Sequence, residues 1–451
     1  VPLTAVGEYD PEQVPTVADR AVVVGGSVAG LLAARVLADA VAEVVVLERD
    51  PLPADPVGRR GVPQSDHVHV LLEAGRHTLE ALFPGFGDDV TAAGGELIDA
   101  NESLDYYEQG DFITEGDAAL PMYCASRPLF ERVIRDRVRV RDDVTLRPEC
   151  HCTGVELDDA SRVRGVTVRD EDGDTERIDA PIVVDATGRT SKTPAWLEDH
   201  GFERPPTDEV QVDLGYASVR VDRPTGVQQG YLVAPTAPSV RGGTAVPIED
   251  DAWFVTLFGL HGDHPPATVE GLREFAATLP TGELHEILAD HAIRSEAVAT
   301  YRFPASVRRL YDRLGRVPEG LLVTGDALAS FNPIYGQGMS VAALDARALH
   351  DALADGGRDG LAERFFDRAG SIVDTVWRVT VGSDFQFPAT EGPRPLGTRL
   401  TNRYVDRLIR TAHTDSHVSE VFSRVLRLEF HPTRLFYPDV AWRVLVPPHQ
   451  R

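Results

Sequence analysis

An α/β fold built from two unlike sheets is what this sequence of 451 residues predicts. Three observations carry the expectation. Residues 20–48 hold an apolar run, a glycine-rich turn, an alanine- and leucine-rich segment and a second apolar run, which together read as a β-turn-α-β unit. From 208 to 260 one strand-like segment follows another with no helix between them, the mark of a separate, mostly antiparallel sheet. Beyond "LLVTGDA" the pattern is helical nearly to the end. The expected boundaries are an N-terminal extension (1–18), the first part of the α/β domain (19–205), an inserted sheet domain (206–300), the second part of the α/β domain (301–358) and a helical C-terminal region (359–451).

Each element has a local reason. "RAVVV" (20–24) and "EVVVLERD" (43–50) are short, β-branched and apolar, as strands buried on both faces are. The polar loop 51–72 leads into helical spacing through "AGRHTLEALFPG". "ASRPLFERVIRDRVRV" (125–140) is an amphipathic helix entered through Ser126 and Pro128. Alternation over 144–184 predicts a small antiparallel layer with "DEDGDTE" as a hairpin tip, closed by the strand in "APIVVDATGR". "VQVDLGYASVRV", "GYLVAP", "GGTAVPIE" and "DAWFVTLFGL" supply the second sheet. Helical segments follow at 268–291, 338–355, 361–380, 396–412 and 416–428.

Composition narrows the function classes. The net charge is −26, and among 45 basic residues Lys192 is the sole lysine. So acidic a surface repels phosphate and disfavours nucleic acid as a partner. Acid-rich, lysine-poor usage fits a salt-rich (halophilic) cytoplasm, where screening relaxes self-repulsion. No apolar run reaches membrane-spanning length, and residues 1–20 read as a frayed extension rather than a secretory signal. Three cysteines argue against a disulfide scaffold. Cys150 and Cys152 flank His151, but with no second ligand cluster they read as small apolar side chains on a buried strand, and no metal is expected.

"GGSVAG" (Gly25, Gly26, Ser27, Val28, Ala29, Gly30) matches G-x-G-x-x-G with serine in the middle glycine slot. Its logic is a tight strand-to-helix turn that brings pyrophosphate to a helix N-terminus. Glu48, at the end of the second strand, stands where a carboxylate accepts from a ribose 2′-OH, which favours FAD or NAD over NADP as the resident nucleotide. Late in the chain comes "GDALASFNPIYGQGMS". Here Asp326 ends a strand and suits a polyol, Asn332-Pro333 makes a turn, and Gly336 and Gly338 bare a helix start to a flat, electron-rich ring. "VVDATGRTSKTPAWL" places Asp185 to Gly188 at a third strand end.

These motifs, in this order, resemble the FAD-dependent aromatic hydroxylases and epoxidases of the para-hydroxybenzoate hydroxylase type. "RRGVPQSDHVH", "SRPLFE", "VVDATGR" and "GDALASFNPIYGQGMS" look most like bacterial polyene epoxidases of polyether biosynthesis, cousins of squalene epoxidase. The resemblance spans about residues 20–355. It implies a Rossmann-like FAD-binding domain (GR2-type) in which Gly25, Ser27 and Gly30 hold the pyrophosphate, and Glu48 and Arg49 the adenosine ribose. Arg60, Gln64 and Arg127 would contact phosphates or ribityl, and Cys152 would lie beside the adenine. Gly325 and Asp326 would bind the ribityl–pyrophosphate section, and Pro333, Gly336, Gln337, Gly338 and Met339 would line the ring. Asp185 and Gly188 would serve FAD and a visiting NADPH or NADH.

The activity so implied is monooxygenation of an apolar small molecule, with NAD(P)H reducing FAD, O2 adding at flavin C4a, and oxygen passing to a double bond or ring. The alternative is an FAD-dependent reductase or dehydrogenase acting on prenyl-type double bonds, which the D-A-T-G form of the middle motif favours. An accessory flavoprotein is a third reading. Halogenation is disfavoured because W-x-W-x-I-P is absent. Tyr216, Trp253, Phe254 and Phe258 are expected to roof the substrate pocket, His67 and His69 read as ordinary loop histidines, and no catalytic base is named. The C-terminal helices are expected to pack over the sheet domain, with peripheral membrane contact a lesser alternative. Oligomeric state is not legible.

Overall fold

The computed structural model describes residues 9–446; residues 1–8 and 447–451, the latter holding the end of "WRVLVPP", lie outside the described range. Among the described residues the strands form four sheets. The first is parallel and five-stranded, in the order Leu321–Val323, Ile182–Asp185, Ala18–Val24, Val41–Leu47, Val144–Arg147. Its central strands end in fully buried valine and leucine runs, because helices Val28–Leu37, Arg127–Arg139 and Gly338–Gly356 pack around them in one large core. Closing this sheet takes residues almost 300 positions apart, Val24 and Val323 both flanking Asp185 in register.

The second sheet has eight strands, in the order Ala329–Ser330, Ala299–Arg309, Thr207–Asp222, Ala252–Gly259, Arg241–Ile248, Gly230–Val233, Leu104–Glu108, Asp111–Phe112. It is antiparallel except where Gly230–Val233 runs parallel to Leu104–Glu108. This sheet therefore also recruits residues 104–112, 301–309 and 329–330, outside the segment 206–300 that strand spacing alone suggests. Helices Val269–Ala276 and Glu283–Asp290 cover one face, and the other face turns toward the parallel sheet.

Two smaller expectations change. Residues 144–147 join the parallel sheet, and the small antiparallel layer is His151–Leu157, Val163–Arg169 and Thr175–Asp179. Residues 9–17 are mostly exposed but tied down at points: the Tyr9 hydroxyl donates to Asp39, Val17 N–H donates to Ala40 O, and Val14 is buried. At the other end, helix Leu361–Asp384 runs longer than its pattern suggests. Helices Thr398–Ala412, Ser416–Leu426 and Pro438–Leu445 then form a cluster with its own core. No described helix is long and apolar enough to cross a membrane.

Candidate active site

A cavity of about 800 Å³ runs between the two sheets and on to the C-terminal helices. Its narrow start is the turn after Ala18–Val24. Gly25 adopts φ +110°, and a Cβ there would sit 2.5 Å from Ala186 O. A Cβ on Gly30 would lie 1.8 Å from Gly25 O, so helix Val28–Leu37 can approach its own strand only through glycine. The first N–H groups of that helix have no partner inside it, and Ser27 at its N-cap makes no capping bond. The Ser27 hydroxyl instead donates to Glu131 Oε2 and accepts from Arg127, both at 2.8 Å. This explains how serine substitutes for the middle glycine: its oxygen belongs to the wall.

Glu131, in the fourth turn-position after Arg127, organises this wall. Arg59 donates to its Oε1 from Nε at 2.9 Å and from Nη2 at 2.6 Å, while Arg127 and Arg135 lie 3.7 and 3.6 Å away. Arg59 also reaches Glu48 at 3.1 Å. Glu48 accepts the Gly26 and Asp50 N–H groups and still lines the cavity. The Arg127 side chain is 12% exposed, its buried Nε lacks a hydrogen-bond partner, and burial lowers its pKa. Opposite stands Asp326, raised by burial against the pull of Arg127, Arg189 and Arg309. An unpaired guanidinium edge and open helix-start amides are what a pyrophosphate satisfies. Arg127→Ala is expected to weaken FAD affinity by about 10-fold or more, read by equilibrium titration of flavin fluorescence.

Farther along, the loop at Asn332 turns under the cavity. Asn332 donates to Asp384 Oδ1 at 2.7 Å and the Tyr335 hydroxyl donates to the same oxygen at 2.9 Å, which fixes the loop from behind. Helix Gly338–Gly356 starts at the cavity without a side-chain cap. Nothing lies within 4 Å of where a Gly338 Cβ would project, and the buried Gln337 Oε1 has no partner. A flat ring edge carrying N–H and C=O groups fits this bare, polar helix start.

Most of the residues singled out from sequence meet on this wall. Gly25, Ser27, Val28, Ala29, Glu48, Arg49, Arg60, Gln64, Arg127, Cys152, Gly188, Gly325, Asp326, Pro333, Gly336, Gln337, Gly338 and Met339 all line it, while Gly26 and Gly30 shape the turn behind it. Asp185 is a correction. Its carboxylate accepts from Thr187 N–H and from the hydroxyls of Thr187, Ser191 and Thr193, so it is spent on its own loop and does not line the cavity. Trp253 and Phe254 are also corrected. Trp253 faces the covering helices, donating to Gln229 O, and Phe254 packs in a small cluster with Val246 and Ile248. Tyr216 and Phe258 do line the cavity.

His67 and His69, read from sequence as ordinary loop histidines, line the cavity wall. His67 Nδ1 lies 2.7 Å from Ser218 Oγ, and burial lowers the pKa of His67 to about 4 and of His69 to about 3, so both are neutral near pH 7. Lys192 reaches the cavity, at the end shared with His151 and Cys152. Sequence reasoning missed Glu131 and Arg59, paired behind the wall, and, on the wall itself, Tyr301 and the contribution of Val405, Ile409, Phe422 and Leu426 from the C-terminal helices. The four-residue spacing of Arg127 and Glu131 was a usable signal; the helix faces could be read, but not what they face.

The open helix starts and the buried guanidinium edge along this cavity suit a dinucleotide, and the class of protein is an FAD-dependent oxidoreductase. A family model described as an FAD binding domain matches residues 19–368. The chain belongs to that family, the FAD-binding monooxygenases of the para-hydroxybenzoate hydroxylase type. It is 34% identical over 422 residues to Protein Rv3254 of Mycobacterium tuberculosis, covering 90% of this chain and 89% of that one. A flavoprotein/dehydrogenase from Cytophaga hutchinsonii shares the fold at TM-score 0.68 and 15% identity, over 95% of this chain and 96% of that chain. The p-nitrophenol 4-monooxygenase PnpA of Pseudomonas putida DLL-E4 does so at TM-score 0.62 and 18% identity, over 92% and 99%. At such identities the likeness is one of fold.

Proposed function

We propose that the protein is a monooxygenase that takes electrons from NADPH or NADH and inserts one oxygen atom of O2 into an apolar organic molecule, by hydroxylation or by epoxidation of a polyene. One observation carries the reading: the polar trough from Glu48 to Asp326 and the apolar chamber at Phe258, Ile409 and Phe422 are one continuous cavity. Bound FAD supplies the redox and oxygen-transfer chemistry. The chain's own residues position and seal. Arg127 and the start of helix Val28–Leu37 hold negative charge, and the Asn332–Gly338 loop orients the ring. Tyr216, Phe258 and the neutral His67 and His69 present a dry wall on the substrate side, where excluded water cannot divert the oxygen.

The D-A-T-G turn, whose Ala186, Thr187 and Gly188 line the cavity, favours a second reading, FAD-dependent reduction of a prenyl-type double bond. Purified FAD-loaded protein separates the two. Substrate-stimulated consumption of NAD(P)H with O2 in equal amounts is expected for the monooxygenase. Anaerobic saturation of an isoprenoid double bond, with no stimulated O2 uptake, would replace it with the reductase.

A further inference from the structure

The chamber wall holds one acid that the cofactor does not explain. Glu108 ends the strand Leu104–Glu108, next to the edge strand Asp111–Phe112 of the eight-stranded sheet, and lines the cavity beside Tyr106. The Tyr106 hydroxyl donates to Glu108 Oε2 at 2.5 Å, and the Tyr106 ring stacks on Phe422. Neighbouring wall residues include Leu104, Ile113, Ile409 and Phe422. Among the described residues no arginine, lysine or histidine side chain forms an ion pair with Glu108.

A carboxylate placed in an apolar wall without a cation is costly unless something polar meets it. Burial, with the Asp406 charge adding, raises Glu108 to about 7 despite the Tyr106 hydrogen bond. Every packed element contributes to its surroundings. Helix Thr398–Ala412 brings Asp406 and Arg410, which bond Gln109 rather than Glu108. His413, just after that helix, donates to the Glu108 backbone carbonyl. Tyr335, held by Asp384, feels both Glu108 and Tyr106 from the ring-side loop.

Building on the monooxygenase reading, we propose that Glu108, steadied by Tyr106, receives the hydroxyl group of an otherwise apolar alcohol or phenol and so fixes which part of the substrate reaches the ring. Tyr106 occupies one carboxylate oxygen and leaves Oε1 for one more partner. A hydroxyl brings one donor and can also accept, so it pairs with either protonation state of Glu108. An ammonium brings three donors, has no lone pair for the protonated acid, and would meet carbon on most of the surrounding wall.

The test uses FAD-loaded protein and two probes of equal skeleton, 2-naphthol and 2-methoxynaphthalene, with affinities read by calorimetry and flavin content read from absorbance. The native chain should prefer 2-naphthol by about 10- to 100-fold, the worth of one hydrogen bond to a charged group. Glu108→Leu should erase the preference while keeping affinity for the ether, and Glu108→Gln should reduce it. The native preference should grow from pH 6 to pH 8 as the acid ionises, and in Glu108→Gln it should be flat, which separates Glu108 from Asp384 and Asp406. A native chain that does not distinguish the probes or binds neither, or a Glu108→Leu or Glu108→Gln variant with undiminished preference, overturns the proposal. Flavin content should be unchanged in all variants. Loss of flavin from the native protein would count instead against the cofactor reading.

Discussion

Gly30→Ala should yield a chain that no longer retains FAD. The Cβ it adds would lie 1.8 Å from Gly25 O and 2.9 Å from Gly25 C, both backbone atoms that no rotamer change can move. Relief requires the first turn of helix Val28–Leu37 to back away from the strand Ala18–Val24. That shift opens the turn and withdraws the helix-start amides from the trough. Overpacking of this kind costs about 1–3 kcal/mol in stability, and the loss of cofactor affinity should be larger, because every contact at the turn moves at once. Flavin-to-protein ratio after gel filtration checks it: near zero for Gly30→Ala, near one for the native chain. Gly338→Ala is the matched control, since no protein atom lies within 4 Å of where its Cβ would project. That variant should stay folded and lose affinity only by crowding the ring.

The second large effect is expected at Glu131. Glu131→Ala removes the carboxylate that Arg59 meets with two donors and that Arg127, Arg135 and Ser27 also approach. Arg59 is 8% exposed and Arg135 3% exposed, so both guanidiniums lose their main counter-charge out of reach of bulk water. Breaking a buried ion pair from one side typically costs about 3–5 kcal/mol. Thermal unfolding should therefore begin well below that of the native protein, and excess FAD should recover only part of the loss by mass action. Glu131→Gln, which keeps the shape and one acceptor, should fall between the two. An unfolding midpoint for Glu131→Ala within a degree or two of native would mean that the arginines find other partners.

Much of this fold was legible from local chemistry. The β-branched runs, the glycine turn and the strand-only stretch announced both sheets, and residues from all three strand-end motifs line one cavity, Asp185 itself excepted. Long-range pairing was not legible. Leu104–Glu108 reads as a short polar-edged segment, and only its parallel partner Gly230–Val233 puts it in the second sheet and Glu108 in the chamber. Asp185 and Trp253 show the converse limit. Both have the right residue type at the right position along a strand, yet Asp185 is consumed by three neighbouring threonine and serine side chains, and the alternation of strand Ala252–Gly259 turns Trp253 to the far face. His67 and His69 read as ordinary loop histidines because nothing in their own segment shows that Ser218 and Thr256 lie across from them.

The central claim is that the turn at Gly25, with Glu48 beside it, holds the pyrophosphate and adenosine of the same FAD whose ring meets the helix start at Gly338. Stripping the purified chain of flavin and titrating it with FAD under fluorescence tests this most directly. One equivalent should bind per chain, Gly30→Ala should bind none, and FMN, which lacks the adenosine end, should bind far more weakly than FAD. A chain that takes up no FAD, or that binds FMN as tightly as FAD, would contradict the account.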